Sequence, residues 1–104
     1  MEVLVSMFIQ ELDFQNIVIT EHVDYKGYKI SFLLNNQRYL LLVGKTKILF
    51  PLSIIHVFNE KERCQFCHKL VFKASISQQV CSPLLGIKKE LLAYFQKYHS
   101  ELLA

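Results

Sequence analysis

Tyr28-Lys29-Ile30-Ser31-Phe32-Leu33-Leu34-Asn35-Asn36-Gln37-Arg38-Tyr39-Leu40-Leu41-Leu42-Val43 consists of two apolar runs on either side of a pair of asparagines. Asparagine tolerates the positive φ that both central positions of a tight hairpin turn require. The stretch therefore reads as a β-hairpin. On its first strand Tyr28, Ile30, Phe32 and Leu34 share one face, while Lys29 and Ser31 look the other way. The return strand, Gln37 to Val43, is almost continuously apolar. That is the pattern of a strand buried on both faces, and it predicts a central position in the sheet.

Working outward, Lys26-Gly27 is a turn, and Asn16 to Tyr25 is a further strand with Ile17, Ile19, Val23 and Tyr25 on one face. Gly44-Lys45 breaks the chain after the hairpin. Ile48 to Phe50 reads as a short strand stopped by Pro51. Ser53 to Phe58 admits either a strand, from its β-branched residues, or a short helix capped by Ser53. A charged loop follows at residues 59–63, then a strand over Lys69 to Ile76 and a polar loop over Ser75 to Gln79.

Two helices frame the sheet. Leu4, Phe8 and Leu12 recur every four residues and predict a helix over Glu2 to Asp13. At the other end Ser82 is a good N-cap and Pro83 suits the first helical position. Leu84, Lys88, Leu91, Phe95, Tyr98 and Leu102 then follow three-four spacing through one long helix. The expected fold is α+β and a single domain of 104 residues. A central antiparallel meander belongs to a sheet of four to six strands, with the N-terminal and C-terminal helices packed on one face.

Composition narrows the function classes. No apolar run approaches the ~20 residues that span a bilayer. Residues before Lys26 carry no basic side chain, so a secretory signal is not expected. Three cysteines, an odd number, suggest reduced thiols in the cytoplasm rather than a disulfide framework. Net charge is +3 but is unevenly spread. Residues 1–24 hold five acids and no Lys or Arg, while residues 25–104 hold twelve basic residues against four acids, a local balance of +8. Such asymmetry points to an anionic partner or to a contact between the two segments.

Cys64-Gln65-Phe66-Cys67-His68 is the one recognisable motif. Cys-x-x-Cys-His is the pattern of c-type haem attachment, but that chemistry belongs to exported proteins. A redox dithiol would sit at a helix N-terminus after a strand, whereas a charged loop precedes this one. A structural zinc site suits two cysteines that face one ion from a tight turn, with Cys81 as third ligand. The fourth ligand would be His68, adjoining Cys67, or His56, eight residues before the motif. Against all three stands the reading that these cysteines are ordinary small residues.

There is no Gly-rich phosphate loop, nucleophile elbow or His-Glu-x-x-His motif, so a non-enzymatic role is expected. Lys26, Lys29, Arg38, Lys45 and Lys47 fall on the meander beside Tyr28 and Tyr39. A positive groove that tracks phosphates, with aromatic faces that stack on bases, is how single-stranded nucleic acid is bound without sequence readout. The expectation is a small nucleic-acid-binding protein or an accessory subunit of a nucleic-acid-processing complex. The alternative is a protein-interaction module, with a homodimer as one form of it. It would use Leu91, Tyr94, Phe95 and Tyr98 of the last helix, with or without zinc.

Overall fold

A computed structural model describes residues 9, 12–22, 26–58, 60–71 and 80–100. Strands β1 (Gln15–Glu21), β2 (Gly27–Leu34), β3 (Gln37–Lys45) and β4 (Leu49–His56) form an antiparallel sheet in the order β1-β2-β3-β4. A separate two-stranded ribbon pairs β5 (Glu62–Arg63) with β6 (Leu70–Val71). Helices α1 (Ser82–Leu85) and α2 (Lys88–Tyr98) follow.

The β2–β3 hairpin is the one the asparagines predict. Leu34 pairs with Gln37, and Asn35 and Asn36 take φ of 49° and 66°, the left-handed pair that matches the twist of the flanking strands. Tyr28, Ile30, Phe32 and Leu34 of β2, with Tyr39, Leu41 and Val43 of β3, point into the core. β3 is central, as expected, but only one of its faces is fully covered. Leu40 and Leu42 on the other face are half-buried.

β4 runs through Pro51 rather than stopping at it. The register slips between Leu42 and Val43, so that Leu42 opposes Ser53 and Val43 opposes Pro51. Leu52 is left over and 41% exposed. A bulge on an edge strand is one of the few places where a residue without an N–H disturbs no ladder. Ser53 to His56 is thereby strand, with Ile54 and His56 turned inward and fully buried.

The predicted C-terminal helix is two helices. Cys81, not Ser82, is the N-cap of α1, and Pro83 lies in its first turn. The helix ends at Gly86, and Ile87, at φ −115°, begins α2. The break lets α1 turn Leu84 into the core beside β4, while α2 lays Leu91, Leu92 and Phe95 against the sheet. Phe95 meets Phe32 and Phe14, with ring centroids 5.4 and 5.2 Å away. Ile9 is helical and buried in the same core, and its carbonyl accepts from the Leu12 N–H at 3.2 Å. Of the helix expected over Glu2 to Asp13, Leu12 and Asp13 are not helical, so it ends before them. Residues 2–8, 10 and 11 lie outside the described residues, as do Val23, Tyr25, the strand beyond Val71, the loop at Ser75 to Gln79 and Leu102. Among the described residues no helix is long and apolar enough to cross a membrane.

Candidate metal centre

Three separate pieces of chain converge at the Asn35-Asn36 end of the sheet. β4 delivers His56 as its last residue. The β5–β6 ribbon brings Cys64 and Cys67 on the turn between its strands, and α1 begins at Cys81. His56 Nε2 or Nδ1 and the three Sγ atoms all lie within 4.8 Å of one another. His56, Cys64 and Cys81 are fully buried, and Cys67 is partly exposed.

Hydrogen bonds fix each piece before any ion is considered. The Cys81 N–H donates to the Ile54 carbonyl at 3.2 Å, seating the start of α1 on β4. Cys64 N–H donates to Lys69 O, and His68 N–H to Cys64 O, both at 2.9 Å. His68 sits at φ 63°, the left-handed conformation that closes the turn. Gln65 latches the turn to the central hairpin. Its Nε2 donates to Leu34 O at 2.7 Å, and its Oε1 accepts from Asn35 Nδ2 at 2.7 Å. Buried Gln37 satisfies its amide by donating to Arg63 O at 2.8 Å and accepting from Gln65 N–H at 3.0 Å.

Two of the donor spacings are close to the edges of a tetrahedral site, and the rest lie within 4.8 Å. Zinc bonds of ~2.3 Å to sulfur and ~2.0–2.1 Å to nitrogen, at tetrahedral angles, separate two sulfurs by ~3.8 Å and sulfur from nitrogen by ~3.6 Å. Cys64 Sγ and Cys81 Sγ are 3.8 Å apart, and Cys67 Sγ is 3.4 Å from His56 Nε2. The donors also fit chemically, since three thiolates and an imidazole are a set that zinc accepts in closed structural sites.

Around the donors lies a second layer. The Tyr39 hydroxyl is 3.2 Å from Cys64 Sγ and donates to Gln37 Oε1 at 2.9 Å. Phe66 N–H donates to Cys64 Sγ at 3.4 Å. The rings of Tyr39, His56, Phe58 and Phe66 pack together, with centroids 5.2 to 5.8 Å apart, which keeps water away and strengthens every charge inside.

Protonation follows from this crowding. The Cys81 thiol, then His56, the Cys67 main chain and Tyr39, hold Cys64 as a thiolate well below the ordinary thiol range, against a burial that opposes it. Cys81 is pushed up by the hydrogen bond it gives Cys64 and by burial. Burial pushes Cys67 up, with Cys64 adding to it. Tyr39 is raised by burial and by its contact with Cys64. The metal-free cluster is thus built around one negative charge, and it gains two more only by losing protons to a cation.

His68 is not a donor to this cluster. Its side chain is exposed, and its carbonyl accepts from Arg63 Nη1 at 2.7 Å. The residue beside Cys67 in sequence is spent on turning the chain, while the histidine eight residues before the motif is carried inward by the alternation of β4. The signal was there: once Ile54 is read as a core residue of a strand, His56 must share its face.

The other candidate residues divide. Lys26, Lys45 and Lys47 gather at the end of the sheet opposite the cysteines. Lys45 N–H donates to Lys26 O at 3.1 Å, and all three side chains are exposed. Lys29 is half-buried on the outer face near that end, opposite Leu42. Arg38 lies at the cysteine end, opposite Leu33, and its Nη1 donates to Ser31 Oγ at 2.8 Å. Tyr39 is fully buried and Tyr28 nearly so, under Lys45 Nζ at 5.8 Å from its ring centre, so neither offers a free face to a base. On α2, Leu91 and Phe95 are consumed by the chain's own core; Tyr94 is half-buried and Tyr98 is 59% exposed.

No family model matches the sequence, and no curated protein or solved structure is significantly similar to it.

Proposed function

We propose that this protein is a non-enzymatic binding domain held together by a structural zinc ion, with single-stranded nucleic acid as its ligand. The observation that carries the zinc reading is the match between the donor spacings, 3.8 Å for sulfur to sulfur and 3.4 Å for sulfur to nitrogen, and the edges of a zinc tetrahedron. With all four positions filled by protein donors, three of them fully buried, the site has no open position for water or substrate, which is what separates structural from catalytic zinc. Elemental analysis of protein purified without chelator, under reducing conditions, tests it. About one zinc per chain is expected, and less than about half an equivalent rejects it.

The nucleic-acid reading rests on Lys26, Lys45 and Lys47 at one end of the sheet, where the β2–β3 register and the β3–β4 turn bring them together. With Tyr28 and Tyr39 buried, contact is to phosphates without base stacking, and binding is independent of sequence. Fluorescence anisotropy with a labelled single-stranded oligonucleotide tests it. Binding that falls steeply as salt rises is the expected result, and no binding at low ionic strength removes this ligand.

A second reading, a protein-interaction module, draws on the outer face of the sheet. Leu33, Leu40, Leu42 and Ile55 are half-buried there, and Val18 is 52% exposed, an apolar surface of the kind that partners cover. Sedimentation of the purified chain across a concentration series distinguishes self-association from a monomer awaiting another protein.

A further inference from the structure

The four donors of the metal centre are unequally protected. His56, Cys64 and Cys81 are fully buried. Cys67 is partly exposed, and it sits on a turn flanked by exposed His68 and Lys69. It also has a second sulfur within reach, since every donor atom lies within 4.8 Å of the others. Cys64 shares its turn, three residues away, so joining the two requires no movement between separate elements. Each observation bears on oxidation: an accessible thiolate is attacked first, and a neighbouring thiolate decides whether the damage is reversible.

We infer that Cys67 is a reversible oxidation site, attacked by a hydroperoxide and resolved by Cys64 into a disulfide that dismantles the metal centre. The inference rests on the zinc reading above. In the first step the Cys67 thiolate sulfur attacks the outer peroxide oxygen. An S–O bond forms as the O–O bond breaks, and the departing alkoxide or hydroxide takes a proton from solvent. Cys67 is now a sulfenic acid and the peroxide has taken two electrons. In the second step the Cys64 thiolate attacks the Cys67 sulfur, the S–O bond breaks, and hydroxide leaves and is protonated to water. The sum is two thiolates, one hydroperoxide and two protons giving one disulfide, one alcohol or water, and one further water. Cys81 and His56 alone remain as donors, too few for a structural site.

The consequence for the chain is local. The β5–β6 ribbon and the start of α1 lose the ion that joins them to β4, while Gln37 and Gln65 still tie the ribbon to the Asn35-Asn36 turn. A thiol reductant with added zinc restores the site, because a disulfide, unlike a sulfinic acid, is reduced by thiol exchange.

The experiment uses the full reduced chain, its zinc content measured before any oxidant is added. Zinc below half an equivalent at that point overturns the zinc reading and this inference with it. If zinc is present, hydrogen peroxide is added, and released zinc is followed with a coloured chelator while thiols are counted in parallel. Peptide mapping then locates the bridge. Expected are one zinc released for two thiols lost, a Cys67–Cys64 disulfide, and full recovery with reductant and zinc. Cys67→His keeps a donor while removing the reactive sulfur, and should slow peroxide-driven zinc release by about ten-fold or more. Should that variant fail to hold zinc, the mapping on the natural chain still decides. Release at the natural rate from Cys67→His, a bridge lacking Cys67 or Cys64, or zinc retained until thiols become sulfinic acids overturns the oxidation site while leaving the zinc reading intact.

Discussion

The two ends of the central sheet share strands but not a source of order. At the Asn35-Asn36 end, polar side chains are gathered inward, buried or half-buried: three thiols, an imidazole and two glutamines, each with a partner. At the Lys26 and Lys45 end the backbone pairing is as regular, yet the side chains are exposed cations. Tyr39 and Lys45 lie six residues apart on one strand, ~20 Å at strand rise. That distance exceeds the Debye length at physiological salt. The difference teaches that the proposed metal and the proposed anionic ligand would engage separate ends of one sheet, so each end should be alterable without the other.

The largest separation should come from the metal. Chelation, or His56→Ala, is expected to lower stability by about 4 kcal/mol or more, because both ligand linkage and a buried cluster are lost. Hydrogen exchange should rise at the Cys64, Val71 and Cys81 amides well before the β2–β3 amides near Lys45. Equal loss at both ends would break the comparison.

Acid should act on one end only. Cys81 and Cys67 are held above the ordinary thiol pKa and Cys64 below it, so near pH 7 the metal-free cluster carries one thiolate. Zinc must then displace about two protons, and affinity should fall by about a hundred-fold for each pH unit lost below neutrality. Competition titrations at several pH values measure this. The lysines lie at the other end of the sheet, so oligonucleotide binding should not follow the zinc.

Lys45→Ala with Lys47→Ala should reduce oligonucleotide affinity about ten-fold at low salt and flatten the logarithmic salt dependence by ~0.7 per lysine. Thermal unfolding and zinc content should be unchanged. Tyr39→Phe removes an outer partner that touches Cys64 Sγ and donates to Gln37, and should weaken zinc by about ten-fold and cost ~1 kcal/mol of stability. The smallest effect belongs to His68→Gly. The left-handed φ of 63° suits glycine, so stability should hold or rise by at most ~1 kcal/mol with zinc retained. Loss of zinc on this change would return His68 to the ligand set.

The fold was legible where structure is local. Period-two alternation and a pair of asparagines define the β2–β3 hairpin without reference to the rest of the chain. Pro51 reads as a stop because its tolerance depends on Leu52 bulging out of an edge strand, and that β4 lies at the edge is set by the order of the whole sheet rather than by its own residues. The long helix was over-read because three-four spacing persists across Gly86, where the chain tightens so that Leu84 and Leu91 can both reach the core. In the site, three cysteines were readable from chemistry and spacing. The fourth donor was narrowed to His68 or His56 and not further, because the choice turns on the strand parity of Ser53 to His56, a stretch that also admits a helix; as strand, it carries His56 inward.

The order of assembly can be drawn from the same geometry. The meander closes only tight turns between neighbouring strands, and short closures form quickly. The corner where β4, the ribbon turn and α1 meet must bring His56 and Cys81 together across 25 positions of chain, so it follows a preformed hairpin stack. An interaction made after the barrier slows unfolding and leaves the folding rate nearly untouched. Zinc should therefore lengthen the lifetime of the native chain far more than it hastens its arrival.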